Sequence, residues 1–287
     1  MSVARAAFES TAIRVGSPEH KQLLAQFFLD SHRDYDPERI AWPVLGREEL
    51  ARLTALPFWQ EAVATENVTS NTVTAAAALE ADPQLRRAIA LQGFEEQRHA
   101  RLLAALAAHY HIPIEFPAAY VPRDLEDDFL FAGFGECFDS FFAFGLFALA
   151  RAAGLFPAAL VEVFEPVMEE EVRHILFFVN WVKVRRMDLP WWRRPAFRLR
   201  CGWIILKQVA ARVRTARSLS GGTPASSENF TLTAHRDIGP PVTLHGLLGT
   251  CLQENDRRMA HYDARLLRPR LVPGIARVVH RLLPSSF

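Results

Sequence analysis

The chain has 287 residues, half of them hydrophobic, enough for one sizeable buried core. Thirty-three lysines and arginines against 32 aspartates and glutamates leave a net charge of +1, so no global field attracts polyanions and DNA is not an expected partner. The three cysteines, Cys137, Cys201 and Cys251, are widely spaced and odd in number, which fits reduced thiols in a cytoplasmic protein better than a disulfide framework or a metal motif.

The first residues, MSVARAAFESTAIRV, lack the uninterrupted apolar stretch of a signal peptide. An amphipathic segment at about 18–34, the stretch DPERIAWP and a short helix near 47–54 form an N-terminal helical cover over residues 1–56. Four long helical segments follow, at about 57–80, 84–110, 125–153 and 158–187. Asp82-Pro83, the HIPIEFP stretch and the run from Gly154 to Pro157 separate them. Alternating runs of Val, Ile and Thr that would announce strands are nearly absent, so the fold class is all-α. Two short connections and one longer one predict a four-helix bundle over 57–187, with further helices at both ends. The most apolar stretch, FFAFGLFALARAAGLF, is broken by Arg151, and no transmembrane span is expected.

Residues 188–287 read as a C-terminal helical extension packed on the bundle. From Lys183 to Arg217 there are eleven lysines and arginines and one acid, Asp188, interleaved with Trp191, Trp192 and Trp203. A solvated helix with its aromatic side on the bundle accounts for this. So would contact with an acidic carrier protein, an anionic membrane surface or RNA. The Ser-, Gly- and Pro-rich stretch at about 218–240 reads as a long loop, and helices are expected at about 242–266 and 273–283.

The second and fourth long segments carry EEQRH at 95–99 and EEVRH at 170–174. Residues three apart share a helix face, so Glu96 with His99, and Glu171 with His174, can each present a carboxylate and an imidazole to one point. That donor pair suits iron, manganese or zinc. In an antiparallel helix pair, residues at one level are equidistant from the turn. Pairing Glu66 with Glu96/His99 puts the midpoint at about position 82, inside the Asp-Pro turn, whereas Glu61 puts it at about 79, still within the helix. Glu136 with Glu171/His174 centres on Gly154, and Asp139 is the fallback. Six candidate ligands emerge in two halves: Glu66, Glu96 and His99, then Glu136, Glu171 and His174.

This pattern resembles the ferritin-like di-iron carboxylate superfamily, which includes ferritins, rubrerythrins, ribonucleotide reductase small subunits, acyl carrier protein desaturases, multicomponent monooxygenases and arylamine N-oxygenases. The resemblance covers residues 57–187. It implies two Fe ions, with Mn/Fe or Mn/Mn as variants, and O₂ as co-substrate. It also implies that Glu170 serves His99 and Glu95 serves His174, as acids before the Glu of one motif do for the other His in several members. Arg98 and Arg173 then either pair with bundle acids or face solvent.

Departures from individual families narrow the reading. Leu103 and Phe178 stand where a radical Tyr would be expected in a reductase subunit, and the long flanks are unlike those of a storage ferritin. His109, His111, His245 and His261 are open candidates for the extra ligand of an N-oxygenase, none of them singled out. The phenylalanines from Phe129 to Phe147 are mostly core, with some expected to line a cavity for an apolar or aromatic substrate.

The expected function is O₂-dependent hydroxylation, desaturation or N-oxygenation of a small, mainly apolar or aromatic molecule, free or carrier-bound. No GxGxxG fingerprint is present, so electrons come from an external donor or from the substrate. The alternatives are a tRNA-modifying di-iron hydroxylase and a non-catalytic ferritin-like metal-binding protein. A homodimer stays open.

Overall fold

A computed structural model of the chain describes residues 13–56, 59–115, 118, 120–154, 156–220 and 243–284, with the side chains of 215–220 excepted. The described residues form helices and no strand. The helices are α1 (Pro18–Asp30), α2 (Arg47–Ala55), α3 (Trp59–Ala77), α4 (Pro83–His109), α5 (Leu125–Ala153), α6 (Ala158–Glu162), α7 (Glu165–Asp188), α8 (Arg194–Ser220), α9 (Leu244–Met259) and α10 (Leu271–Leu282).

Local chemistry sets these boundaries. Asp82 accepts from the backbone N–H groups of Gln84 and Leu85, and Pro83 at the first helical position gives up no needed donor, so α4 starts there. Asp124 caps α5, and Gly154 ends it at φ 61°, the left-handed conformation that glycine adopts without a Cβ penalty. The helix expected at 158–187 is interrupted. The chain stops at Glu162, passes through Val163 and Phe164, and restarts at Glu165 with Pro166 in its first turn, where a missing N–H costs nothing. α1 ends at Asp30 rather than near 34, and α8 runs to Ser220, past the expected start of the loop. The rest of that expected loop falls within 221–242, which lies outside the described residues.

α4 packs on α3 and α7, and α5 packs on α3 and α7, which closes a ring of four helices. α1 lies across α4 and α7, contributing Leu24 and Phe28 to the main core with Val73, Ile89, Leu176 and Phe177. α8, α9 and α10 all pack on α5, so the C-terminal extension covers that helix. Phe138, Phe141 and Leu146 of α5 meet Leu247, Leu248, Val272 and Ala276 there. By length and composition alone α5 is apolar enough to cross a membrane, a test that a buried core helix also passes. Yet 61% of its most apolar window is buried, as befits a helix covered on two sides.

Candidate metal centre

The repeated motifs face each other across the α4·α7 contact. Both histidines are buried, with ring centroids 5.7 Å apart. His99 directs Nε2 at Glu170, 2.8 Å away, and His174 directs Nε2 at Glu95, also 2.8 Å away. A carboxylate only accepts, so each imidazole donates its Nε2–H and turns Nδ1 inward. Glu95 and Glu170 therefore serve the histidine of the opposite motif.

The inward Nδ1 atoms have no hydrogen-bond partner, nor do Glu96 Oε1 and Glu136 Oε1. Glu96 Oε1 lies 2.9 Å from His174 Nδ1 without hydrogen-bond alignment, and Glu96 Oε2 lies 3.6 Å from His99 Nδ1. Buried polar atoms are rarely left without partners, and these four, gathered on the facing sides of α4, α5 and α7, could be satisfied by a cation. Two groups of potential ligand atoms can hold one. Glu66, Glu96 and His99 form the first, Glu96, Glu136 and His174 the second, and within each the atoms lie within 4.8 Å of one another. Glu96 belongs to both. Glu171 stands beside the first group, with Oε1 3.5 Å from His99 Nδ1, while its other oxygen accepts from the Ser140 hydroxyl at 2.7 Å.

All six residues named from the sequence thus converge. Glu66 approaches His99 Nδ1 to 3.7 Å, and Glu136 accepts from Gln92 Nε2 at 3.3 Å. Glu61 and Asp139 enter neither group. They line the neighbouring cavity, where Asp139 pairs with Arg212 at 2.6 Å. His109 contacts Tyr110, His245 stacks on His280 and His261 lies on Tyr262, so among the described contacts none of these reaches the site.

Burial and crowded charge decide the protonation. Burial pushes Glu66 up to about 8, against the pull of His99. Burial and then repulsion from Glu96 and Glu171 hold Glu136 well above the usual range. Burial alone would raise Glu96, but the His174 charge and the nearness of both histidines bring it well below. For His99 burial favours the neutral ring, yet Glu170, Glu171, Glu66 and Glu96 together raise it; Glu96 and Glu95 do the same for His174.

The motif arginines are buried, not solvent-facing. Arg98 pairs with Glu170 and lies 4.0 Å over the Tyr35 ring. Arg173 donates to Glu95 at 2.8 Å, to Ser31 Oγ at 2.8 Å and to the Phe28 carbonyl at 2.7 Å. His32 Nδ1 also meets Glu95, at 2.6 Å. Burial is the largest cause pushing Glu95 up, but His174 and Arg173 outweigh it and hold it at about 2. Ser31, His32 and Tyr35 had no sequence signal, because nothing local ties the end of α1 to helices more than 60 positions away. Gln92 and Ser140 did have one: each lies four residues from a named ligand, on the same helix face.

A cavity of about 460 Å³ opens against Glu66, Glu96, Glu136 and Glu171. Its other walls are mostly small, including Ala64, Ala132, Gly135 and Ala143, with Val167, Met168 and Phe131 supplying larger apolar surface. The phenylalanines of α5 are mostly core, as expected, and their share of the cavity wall is small. Phe129, Phe138, Phe141 and Phe144 are buried in the core, and Phe131 alone of the series reaches the cavity. α8 closes one side with Gln208, Ala211 and Arg212, a contribution that sequence reasoning missed. Comparison of the chain with protein-family models, curated proteins and solved structures finds no match in any of the three.

Proposed function

We propose that this protein is a ferritin-like di-iron carboxylate enzyme that uses O₂ to oxidise a small, mainly apolar molecule held in the cavity beside Glu66 and Glu136. One observation carries the reading: two carboxylate–histidine groups share Glu96, keep unpartnered Nδ1 and carboxylate atoms facing inward, and border a cavity of about 460 Å³. Glu66, Glu96 and His99 would hold one ion, Glu96, Glu136 and His174 the other, with Glu171 close enough to join. Oxygen and imidazole donors in this proportion suit iron and manganese. An Fe(II) pair, when bound, would supply the electrons that activate O₂, which is the oxidant; side chains cannot do this alone.

The chain's own residues do the rest. Glu95 and Glu170 fix the tautomer and direction of each imidazole, and Arg98 and Arg173 hold those carboxylates in place. Ser140 and Gln92 orient Glu171 and Glu136. The small walls leave room for a substrate close to the ligands, and Val167, Met168 and Phe131 favour an apolar one. A cavity of this size beside the ligands supports catalysis over metal storage. A volume of about 460 Å³ suits a small molecule better than a structured RNA.

The test is anaerobic loading with Fe(II), metal analysis, and optical spectra and O₂ uptake on exposure to air. Two irons per chain with O₂ consumption support the proposal. Failure to retain any metal after anaerobic loading rejects it.

A further inference from the structure

α8 is apolar on two opposite faces. Phe197, Cys201, Ile204, Gln208 and Ala211 are buried on the α5 side. On the other side Leu199, Trp203, Leu206, Ala210 and Val213 recur at i, i+4, i+7, i+11 and i+14 and are exposed, Leu199 by 76%, Trp203 by 60% and Leu206 by 60%. The 3₁₀ turn that leads into the helix adds Trp191 and Trp192, exposed by 74% and 62%. The aromatic side of this segment therefore does not pack on the bundle. α10 repeats the pattern: Val272 and Ala276 are buried, while Leu271, Ile275, Val278 and Leu282 are exposed at i, i+4, i+7 and i+11. A surface helix ordinarily turns polar residues outward, so an outward apolar stripe on each of these two helices calls for a partner.

The charges beside the stripe say which partner. At about 100° per residue, Lys207 and Arg214 run along one border of the α8 stripe and Arg198 lies beyond the other. The acids packed near α8 are already engaged: Asp124, Glu126 and Asp127 by Arg200, Asp139 by Arg212, Asp188 by Lys21. Among the described residues, Arg193, Arg198, Lys207 and Arg214 have no carboxylate partner. A second copy stacked on the same stripe would bring two such sets of cations together. RNA would meet the phosphate-binding charges but find a largely aliphatic stripe in place of a stacking platform.

We propose that α8 and α10 seat the protein on an anionic lipid bilayer. Their apolar stripes enter the boundary between headgroups and acyl chains, tryptophans sit at headgroup level, and the unpaired cations meet lipid phosphates. Gln208 and Arg212, which line the cavity, stand on the face of α8 away from Leu206. Cavity and membrane would then be about 10 Å apart, the diameter of one helix. The proposal does not depend on the metal reading.

Flotation of the full chain with phosphatidylcholine vesicles, with and without phosphatidylglycerol, tests it, together with tryptophan emission. Binding to the anionic vesicles, weakened by salt, is expected. The triple variant Leu199→Gln, Trp203→Gln, Leu206→Gln changes only exposed side chains, so circular dichroism should be unaltered while vesicle binding falls at least about tenfold. Lys207→Gln with Arg214→Gln should lose part of the preference for anionic lipid. The proposal is overturned if anionic vesicles leave the chain unbound, or if the triple variant floats as well as the parent. Equal flotation with neutral vesicles overturns the anionic assignment. A dimer in free solution that Trp203→Gln dissolves, or tRNA binding that the triple variant loses, assigns the stripe to another partner.

Discussion

Glu96 on α4 places Oε1 2.9 Å from Nδ1 of His174 on α7, yet the two atoms are not aligned for a hydrogen bond and each lacks any other partner. Facing lone pairs in a buried site repel unless a cation or proton lies between them. Glu96 also belongs to the His99 group, so its loss should be felt twice. Glu96→Ala is expected to abolish both metal equivalents, whereas Glu66→Ala or Glu136→Ala should cost one. Metal analysis after anaerobic Fe(II) loading checks this. Equal loss in all three variants would show that Glu96 does not bridge, and Glu61→Ala should retain both equivalents.

Removing a supporting acid should weaken the site without removing a ligand. Glu170→Gln keeps the shape but loses the charge that accepts from His99 Nε2 and pairs with Arg98. Metal affinity is expected to fall about 10–100-fold. Glu170→Ala goes further and strands the fully buried Arg98 guanidinium, which should cost about 3–5 kcal/mol in chemical denaturation. A Glu170→Ala protein as stable as the parent would mean that Arg98 finds another counter-charge, with Asp34, 3.7 Å away, the first to examine.

Metal uptake should release protons. In the metal-free protein Glu66 is pushed up to about 8, and Glu136, His99 and His174 are all held well above their ordinary values. Groups with raised pKa hold their protons at neutral pH, and an incoming cation must displace them. Affinity is therefore expected to rise with pH through neutrality and past about 8, as Glu66 gives up its proton. Titration of metal into weakly buffered protein with a pH indicator measures the release directly. A pH-independent affinity would place the metal elsewhere.

The readable part of this site was the part written within single helices or across one turn. Glu96 and His99 share a face by spacing, and equal distance from Pro83 or Gly154 selected Glu66 over Glu61 and Glu136 over Asp139. Their close approach to the histidines follows from helix rise alone. What stayed hidden depends on contacts between distant segments. Arg212 reaches Asp139 across 73 positions, and Tyr35 reaches Glu170 across 135, with no periodicity to announce either. Which phenylalanine of α5 would reach the cavity stayed hidden for a related reason. A helix covered by other helices on two sides is apolar nearly all round, so composition could not separate cavity wall from core.

Two glycines separate packing from propensity. A Cβ on Gly93 of α4 would collide with Thr74 Oγ1 and come within 3.1 Å of the Thr74 Cα, so α3 and α4 touch closely there, one turn from Glu96. Gly93→Ala should therefore destabilise by about 1–3 kcal/mol through overpacking, and by pushing α3 away it should also lower metal affinity through Glu66. A Cβ on Gly202 of α8 meets nothing within 4 Å. There the same substitution removes only the entropic penalty of glycine in a helix and should stabilise by roughly 0.5–1 kcal/mol with metal binding unchanged. Thermal and denaturant unfolding of both variants, followed by metal titration, tests the contrast. If Gly93→Ala were as benign as Gly202→Ala, the close approach of α3 to α4 would not be what sets Glu66 against His99.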